Sequence, residues 1–183
     1  MKFIEQKIPG VYLIQPEPFV DDRGMFRRQF CQREFAQRGI NIDIRQTNIS
    51  ENTARHTLRG FHYQRAPHLE GKLITCLAGA FHDVVVDLRP ESPAYLQWVA
   101  FELNTSNRLS VYVAPGCANA YLTLADNTWL HYSHSEFYTP GSEGSIRYND
   151  PLFHFEWPAK PAVISSKDTN SPDFIPAKAS SHA

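Results

Sequence analysis

Side chains that can move or stabilise a proton are concentrated between Gln46 and Lys72. This stretch contains two amides, an arginine, a histidine and a lysine among aromatic and aliphatic neighbours: Gln46, Asn48, Arg59, His62 and Lys72. Such a mixture is typical of a ligand pocket with apolar walls and polar groups at a few points. His62 lies between Phe61 and Tyr63, which face the other side of a strand. A single histidine in a strand is more often structural, but the company of Arg59, Gln46 and Lys72 favours the interpretation of His62 as a general base inside the pocket.

Motifs for other chemistries are missing from the sequence. There is no GxSxG nucleophile motif, no GxGxxG or GxxxxGK[ST] phosphate loop, and no HExxH or HxH metal motif. Cys117 follows Pro115-Gly116 and is better explained as a small packed residue than as a nucleophile. Eight histidines leave open a metal site built from distant residues, but His131 and His134 are three residues apart and face opposite sides of a strand. General acid–base chemistry remains, and we expect neither a metal nor another cofactor.

One predicted strand carries acids on a partly apolar face. In the segment Ala80–Leu88, Asp83 and Asp87 lie four residues apart and share a side of the strand with Phe81. One reading makes such an acid an inner polar group beside the pocket. The other makes it a residue that ends the strand or caps Arg89, and both readings stay open at this point.

The composition narrows the class of protein and its location. The chain has 183 residues, enough for one domain with a full hydrophobic core. A formal net charge of −1 gives no basis for a broad face that binds nucleic acid. Three cysteines without CxxC spacing favour a reducing compartment, and the N-terminus turns charged too early for a secretory signal. No apolar run approaches the ~20 residues that span a bilayer, so we expect a soluble cytoplasmic protein without a membrane partner.

Short strands separated by proline and glycine dominate the predicted secondary structure. One helix is predicted at Gln32–Gln37, ended by Gly39, and a turn is predicted at Phe19–Gly24. The predicted strands are Val11–Ile14, Met25–Phe30, Ile44–Ser50, Thr57–Gln64, Lys72–Ala78, Ala80–Leu88, Trp98–Leu103, Leu109–Val113, Ala120–Leu124, Thr128–Tyr138 and Ser145–Tyr148. Many short strands at near-regular spacing predict an all-β sandwich or barrel.

The C-terminal part of the chain has a different character. From Pro151 onward prolines become frequent and the strand periodicity fades. We predict that this part is an arm lying over the barrel and that it ends in a loose tail at about 174–183. No internal repeat or linker divides the chain, so residues 1–183 are expected to form one domain.

Several segments together resemble one enzyme family. Leu58–Gln64, with the sequence LRGFHYQ, closely resembles the LRGLHYQ signature of the dTDP-4-dehydrorhamnose 3,5-epimerase family. Further segments continue the resemblance in order along the chain: Asp21–Phe26, Gln46–Asn48, Glu70–Leu73, Asp83–Arg89, Ser92-Pro93, Pro115–Ala118, Phe137–Pro140, Ile146–Pro151 and Ser166–Asp168. So many motifs in one order, from about Val11 to Asp173, make the resemblance specific.

This resemblance implies a fold, an assembly and a reaction. The fold would be a cupin-like jelly-roll barrel used without a metal, here with one short N-terminal helix and a C-terminal arm. The protein would be a homodimer in which an N-terminal strand crosses to the partner subunit. The substrate would be a nucleoside-diphospho-4-keto-6-deoxyhexose. The enzyme would remove a proton next to the C4 ketone and return one on the other face of the sugar.

The resemblance also implies catalytic roles for four residues. His62 matches the family's base, and Asp168 matches the carboxylate that orients it and favours the imidazolium formed by proton abstraction. Lys72 would bring positive charge to the developing enolate. Tyr132 matches the tyrosine that returns a proton from the opposite side.

The predicted substrate-binding residues follow from the same matches. Arg59 and Arg23, the latter from the partner subunit, would bind the diphosphate as forked donors. Phe19 and Tyr138 match positions that sandwich the nucleotide base, and Asp83 is a second acid near the catalytic group. The complete predicted set also includes Gln46, Asn48, Phe26, Arg28 and Asn119.

Three positions depart from the family pattern. Asn119 stands where the family usually has histidine, and an amide can donate a hydrogen bond but cannot carry a proton. Arg28 replaces an acid that contacts the nucleotide base from the partner subunit, so a base other than thymine, such as cytosine, becomes an alternative. Ser133 follows the catalytic tyrosine where Lys or Thr is common. Because of Asn119, inversion at C3 alone and inversion at both C3 and C5 stay open.

Three other functions compete with the epimerase interpretation. A nucleotide-sugar 3,4-ketoisomerase would use a similar barrel and a base at His62 but would make a 3-keto sugar. A barrel that only binds nucleotide sugars would need no proton-transfer set such as His62, Asp168, Lys72 and Tyr132. A metal-dependent cupin would contain stoichiometric iron or zinc.

Overall fold

The computed structural model describes residues 1–177, and the chain in this part is almost entirely β-structure. The two helices are α1 (Gln32–Ala36) and α2 (Ser166–Thr169). The strands are β1 (Lys2–Glu5), β2 (Tyr12–Gln15), β3 (Phe19–Asp21), β4 (Gly24–Phe26), β5 (Gln46–Asn52), β6 (Thr57–Gln64), β7 (Lys72–Ala78), β8 (Ala80–Asp87), β9 (Trp98–Asn104), β10 (Ser110–Val113), β11 (Cys117–Thr123), β12 (Thr128–His134), β13 (Glu143–Ser145) and β14 (Val163–Ile164).

Two sheets of six strands form the walls of the barrel. The first has the order β1-β2-β10-β7-β12-β5. In the second, the order is β13-β6-β11-β8-β9, with β14 pairing in parallel to the other half of β6. Side chains from both sheets, such as Ile74 and Leu130 from the first and Phe81 and Val85 from the second, share one buried cluster between them. The architecture is the predicted cupin-like jelly roll.

The outer faces of the two sheets are covered by the helix and by the arm. Phe35 of α1 is fully buried against the first sheet, in a cluster with Ile14 and Tyr112. The arm packs its aromatic residues on the second sheet, where the ring of Phe155 stacks on Phe61 with centroids 4.3 Å apart. The predicted N-terminal helix and C-terminal arm are therefore both present. They leave the space between the sheets as the place for a site.

The end of the arm is held more firmly than a loose tail would be. The Phe174 backbone N–H donates to Asp150 at 2.6 Å, and its ring packs on Phe153. The Ala177 backbone N–H donates to the hydroxyl of Tyr95. The predicted tail at 174–183 is therefore anchored over its first four residues, and the remainder of that prediction, 178–183, lies outside the described residues.

Most predicted strands agree with the structure, but β1 and β14 were not predicted, and the predicted strand Ser145–Tyr148 coincides with β13 only at Ser145. The other differences occur at turns and strand ends. The predicted turn at Phe19–Gly24 is instead a hairpin of β3 and β4, and the strand predicted to continue to Phe30 ends at Phe26. β11 begins three residues before its predicted start, and β12 ends at His134 rather than Tyr138. These differences arise because strand ends depend on cross-strand partners, which a local pattern does not contain.

The β3–β4 hairpin lies apart from both large sheets. It pairs only with itself, and its apolar side chains face outward, with Phe19 77% and Phe26 72% exposed. A two-stranded hairpin without a packed face is marginally stable on its own. Exposed aromatic side chains in such a hairpin indicate a surface that contacts another molecule.

No helix within residues 1–177 has the length and apolar character needed to cross a membrane.

Candidate active site

A cavity of about 950 Å³ opens between the two sheets. Nine of the predicted site residues line it: Gln46, Asn48, Arg59, His62, Lys72, Asn119, Tyr132, Tyr138 and Asp168. The volume lies in the range of cavities that bind whole small ligands. The structure therefore brings together residues that are as far as 122 positions apart in sequence (46 to 168).

A bulge in β6 turns Arg59 and His62 toward the same cavity. His62 pairs with Asn119, and Arg59 pairs with Tyr121. The paired positions are therefore three residues apart in β6 but only two apart in β11, which defines a β-bulge in β6. Strict alternation would send residues three apart to opposite faces. Gly60 makes the bulge sterically feasible, because a Cβ there would lie 2.7 Å from the Cα of Ala120 and its backbone has a φ of +110°.

His62 is paired with Asp168 from the arm. Its Nε2 lies 2.7 Å from Oδ1 of Asp168, whose side chain is almost fully buried while the imidazole is 48% exposed. Burial raises the pKa of the Asp168 carboxyl, but hydrogen bonds from His62 and from the Gly60 N–H outweigh burial and bring the pKa below its usual value. A carboxylate only accepts hydrogen bonds, so Nε2 carries the hydrogen and Nδ1 of His62 is left as the basic atom.

The short helix α2 presents Asp168 to the barrel. Ser165 accepts a hydrogen bond from the Asp168 backbone N–H at its N-terminus. Immediately before it, β14 pairs with the first residues of β6, so the arm is registered against the strand that carries His62. A local cap and one short strand pairing thus fix a contact between residues 106 positions apart.

Lys72 lies beside His62, and its ammonium group contacts three polar neighbours. Its Nζ donates to the His62 carbonyl oxygen at 2.8 Å and to Oδ1 of Asn119 at 3.2 Å, and it lies 3.3 Å from the Glu70 carboxylate. Asn119 in turn donates to Oδ1 of the fully buried Asp83 at 3.0 Å. The lysine is therefore held in position on the cavity wall before any ligand is bound.

Asp83 lies behind the cavity wall rather than in it. Burial raises the pKa of its carboxyl to about 7, against the opposing effects of the Asn119 hydrogen bond and of Lys72. Among the described residues, its Oδ2 has no hydrogen-bond partner. This is the inner position that one reading of the sequence predicted. The other reading applies to Asp87, whose carboxylate binds Arg89 at the end of the strand.

Tyr132 faces the cavity from the sheet opposite to His62. It belongs to β12, where it pairs with Ile74 and Asn48, whereas His62 belongs to β6 of the other sheet. Burial raises the pKa of the Tyr132 hydroxyl well above 10, and the neighbouring Tyr121 and Asp83 add to this shift. Tyr132 therefore stays protonated at neutral pH and is equipped to give a proton rather than to take one.

Arg59 is anchored through its Nε atom. This atom donates to Oδ1 of Asn52 at 2.9 Å, and the same oxygen accepts from the Tyr121 hydroxyl, which also contacts Ser50. Within residues 1–177, the two Nη atoms of Arg59 make no hydrogen bond. The Nε atom of Arg59 is therefore fixed, while its two Nη atoms remain available to bind an anionic ligand in the cavity.

Two glutamines hold the loop at the mouth of the cavity. Gln46 accepts a hydrogen bond from the Tyr138 backbone N–H at 2.8 Å. Gln64 accepts from the Thr139 N–H at 2.8 Å and donates to the Phe137 carbonyl at 3.1 Å. The loop therefore presents the ring of Tyr138, which is 56% exposed, at a defined position.

Besides Asp83, four predicted substrate-binding residues lie outside the cavity of their own chain. Phe19 and Phe26 are exposed on the β3–β4 hairpin, and Arg23 at its tip pairs with Asp21 of the same hairpin. Arg28 follows the hairpin and forms an ion pair with Glu34. None of these four lines the cavity described above.

Sequence reasoning missed several residues that the structure places at the cavity. Glu70, His134 and Tyr121 all line it. His134 lies two positions after Tyr132 in one strand, and Tyr121 lies two after Asn119 in another, so strand alternation could have identified both. The sequence offers His134 only as a metal ligand together with His131, and His131 does not line the cavity. In the described range, no group of three or more His, Cys, Asp or Glu side chains converges as a metal site would require.

Proteins of known activity resemble this chain over nearly its full length. A dTDP-4-dehydrorhamnose 3,5-epimerase from Shigella flexneri is 34% identical over 178 residues, covering 97% of this chain and 98% of the relative. The crystal structure of a dTDP-4-dehydrorhamnose 3,5-epimerase from Elizabethkingia anophelis matches with a TM-score of 0.91 at 34% identity, covering 95% and 96% of the two chains. A 3'-monoepimerase from Streptomyces bikiniensis, solved with dTDP-quinovose, matches with a TM-score of 0.84 at 32% identity, covering 92% and 85%.

A cupin-like barrel with this cavity and these relatives is an epimerase, an enzyme of the isomerase class. The model of the dTDP-4-dehydrorhamnose 3,5-epimerase family matches residues 5–175. The chain belongs to this family of nucleotide-sugar epimerases, as the motifs in its sequence predicted.

Proposed function

We propose that this enzyme inverts a carbon next to the C4 ketone of a dTDP-linked 4-keto-6-deoxyhexose. The observation that carries the proposal is the presence of a histidine–carboxylate pair and a protonated tyrosine on opposite walls of one cavity. A sugar bound between His62 and Tyr132 exposes one face to a base and the other face to an acid. Removal on one face and return on the other is what an inversion requires.

The proposed deprotonation is carried out by His62 Nδ1. Asp168 accepts the hydrogen bond from Nε2, which fixes the tautomer and stabilises the imidazolium that forms when the proton is taken. A carbon acid beside a ketone is acidic enough only when its enolate is stabilised. Lys72 supplies the positive charge for the enolate oxygen, from a position held by the His62 carbonyl and Asn119.

The proposed reprotonation is carried out by Tyr132 from the opposite wall. Its raised pKa keeps the hydroxyl protonated until the enolate forms. Arg59 binds the diphosphate through its free guanidinium end, and Gln46, Asn48 and Tyr138 contact the remainder of the ligand at the cavity wall and mouth. The solved relative that holds dTDP-quinovose supports a dTDP-linked substrate.

Incubation with dTDP-4-keto-6-deoxyglucose in D₂O, followed by NMR of the sugar, tests this function. We expect deuterium at C3 of an inverted product, because the returned proton comes from an exchangeable tyrosine hydroxyl. Deuterium at C5 as well identifies double inversion, and its restriction to C3 identifies the single-centre reaction.

A 3-keto product would establish a ketoisomerase instead. Binding without any deuterium incorporation would establish a non-catalytic barrel, and the CDP-linked sugar run in parallel tests the identity of the nucleotide.

We further propose that the enzyme acts as a homodimer in which the β3–β4 hairpin completes the partner's cavity. The hairpin is exposed, apolar and unpaired with either large sheet. Arg23 at its tip would add a second cation to the diphosphate site, and Phe19 and Phe26 would pack beside the base with Tyr138. Arg28, at the end of the hairpin, would then help to select the base.

Mixing two inactive variants tests the exchanged hairpin. Arg23→Ala and His62→Ala homodimers are each expected to be nearly inactive, because each lacks one residue of every site. If Arg23 acts on the partner's cavity, a heterodimer has one intact site, and random exchange of equal amounts should restore about a quarter of the sites. The control is a mixture of Lys72→Ala and His62→Ala. Both residues line the cavity of their own chain, so each site of this heterodimer still lacks one of them and no recovery is expected. Recovery no greater than the sum of the separate variants would contradict the exchanged hairpin.

We also infer that the chain functions as a single domain in the cytoplasm. The arm packs on the second sheet and supplies Asp168 to the cavity, which supports one folding unit. All three cysteines are free, which suits a reducing compartment.

A further inference from the structure

A second histidine–carboxylate pair faces the cavity and has no part in the proposed proton transfer. His134 Nδ1 lies 3.0 Å from Oε2 of Glu70, and both side chains are nearly buried, with 12% and 11% exposed. The other Glu70 oxygen lies 3.3 Å from Lys72 Nζ. The His134 ring also stacks on Tyr132, with centroids 5.9 Å apart and planes 22° from parallel.

The partners of His134 define which of its nitrogens carries the hydrogen. Burial raises the pKa of Glu70, but the hydrogen bond from His134 and the charge of Lys72 outweigh burial and keep the carboxyl ionised. An ionised carboxylate only accepts, so Nδ1 of His134 carries the hydrogen. Nε2 lies 3.2 Å from the amide nitrogen of Asn48, which only donates, so Nε2 is the unprotonated acceptor.

This arrangement decides which end of the Asn48 amide is available to a ligand. The amide nitrogen is committed to His134, and within residues 1–177 the Asn48 oxygen accepts no hydrogen bond. Asn48 lines the cavity. Asn48 therefore presents its oxygen, a hydrogen-bond acceptor, to a ligand in the cavity. If the amide rotated to present its N–H groups instead, the lone pairs of Asn48 Oδ1 and His134 Nε2 would face and repel each other.

We propose that Glu70 and His134 are positioning residues that fix the Asn48 amide with its oxygen toward a hydrogen-bond donor on the bound nucleotide sugar. The donor is a hydroxyl of a sugar ring or an N–H of the base. Other groups facing His134 are consistent with this role: Gln46 and Lys72 are its cross-strand neighbours, and Tyr132 covers one face of its ring. The inference rests on the proposed function for the identity of the ligand, but the state of the ring can be measured without one.

Nitrogen-15 NMR of the imidazole rings tests the arrangement in the ligand-free protein. We expect the His134 signals to identify the neutral Nδ1–H tautomer at neutral pH, and the assignment is made by comparison with His134→Gln. An imidazolium or an Nε2–H tautomer would overturn the proposal, because Nε2 would then be a donor and Asn48 would have to turn its oxygen away from the cavity.

Binding of dTDP-glucose, a nucleotide sugar that does not react, tests the consequence for the ligand. His134→Phe keeps a ring against Tyr132 but removes both hydrogen bonds, and we expect the dissociation constant to rise about fivefold to tenfold, the effect of one oriented hydrogen bond. His134→Gln offers one donor and one acceptor and is expected to stay within about twofold of the unchanged protein. His131→Phe, on the opposite face of the same strand, is the control and should bind normally.

The double variant His134→Phe/Asn48→Ala separates positioning from a general loss of structure. If His134 acts through Asn48, the double variant should bind no more weakly than Asn48→Ala alone. The proposal would be overturned if the increases in the dissociation constant caused by the two changes multiplied in the double variant. Unchanged binding by His134→Phe would also overturn it. Failure of the proposed function has a different signature, since dTDP-glucose would then bind while the keto sugar acquires no deuterium.

Discussion

Replacing His62 with alanine is expected to lower both epimerisation and solvent deuterium incorporation by about 10²- to 10⁴-fold, the usual contribution of a positioned general base. The reason is that Nδ1 of His62 is the basic atom that the Asp168 hydrogen bond leaves free on this wall of the cavity. The measurement is the initial rate of deuterium incorporation into dTDP-4-keto-6-deoxyglucose by NMR. Because the imidazole is 48% exposed, added imidazole has access to the vacated position and should restore part of the rate.

The control for this variant is His131→Ala, which removes a histidine from the opposite face of β12. It should exchange deuterium at the normal rate, and both variants should keep the melting temperature of the unchanged protein within a few degrees. Deuterium incorporation by His62→Ala at nearly the normal rate would show that another residue is the base.

Replacing Tyr132 with phenylalanine is expected to separate deprotonation from inversion. His62 can still remove the proton and return a deuteron from the same wall, so the recovered substrate should acquire deuterium. The inverted product should form about 10²- to 10⁴-fold more slowly, because no acid acts on the opposite face. The measurement compares, in one NMR experiment, deuterium in the unreacted sugar with the amount of inverted sugar.

Tyr112→Phe provides the matched control for this change. Tyr112 is also a buried tyrosine of the first sheet with a raised pKa, of about 12, but it packs against α1 and does not line the cavity. Its variant should invert the sugar at the normal rate. Inversion by Tyr132→Phe at the normal rate would assign the acid to another residue. Loss of deuterium incorporation together with inversion would show that Tyr132 is needed for deprotonation.

Local sequence patterns were sufficient for most of the barrel. Strand periodicity, with proline and glycine in the turns, predicted strands at the positions of β5 to β10, and the helix was predicted at α1. The same alternation correctly separated His131 from His134. The patterns failed at the β3–β4 hairpin, where a turn was predicted, because nothing in a run of exposed residues specifies pairing without a partner surface.

The motifs of the sequence also identified the family and with it the set Arg59, His62, Lys72, Tyr132 and Asp168. Their roles remain proposals, but their convergence on one cavity agrees with the prediction. The sequence was sufficient to identify these five residues because each lies in a short motif that can be recognised from its residue types alone. The pair of Glu70 and His134 was not identified, although Glu70 lies in one of the motifs, because a motif does not show which side chains meet in the folded chain.

The amino-acid sequence by itself determined the fold class, the family and which side chains are available for proton transfer. Only the tertiary structure decided which of them face each other. The bulge in β6 turns Arg59 and His62 to one side, and glycine is needed at position 60 because the strand passes within contact distance of Ala120 on β11. The tautomer of His134 follows from Glu70 and Asn48 on two other elements. Strand periodicity is a property of neighbouring residues, whereas register, bulges and tautomers are set by steric and hydrogen-bond contacts between distant strands.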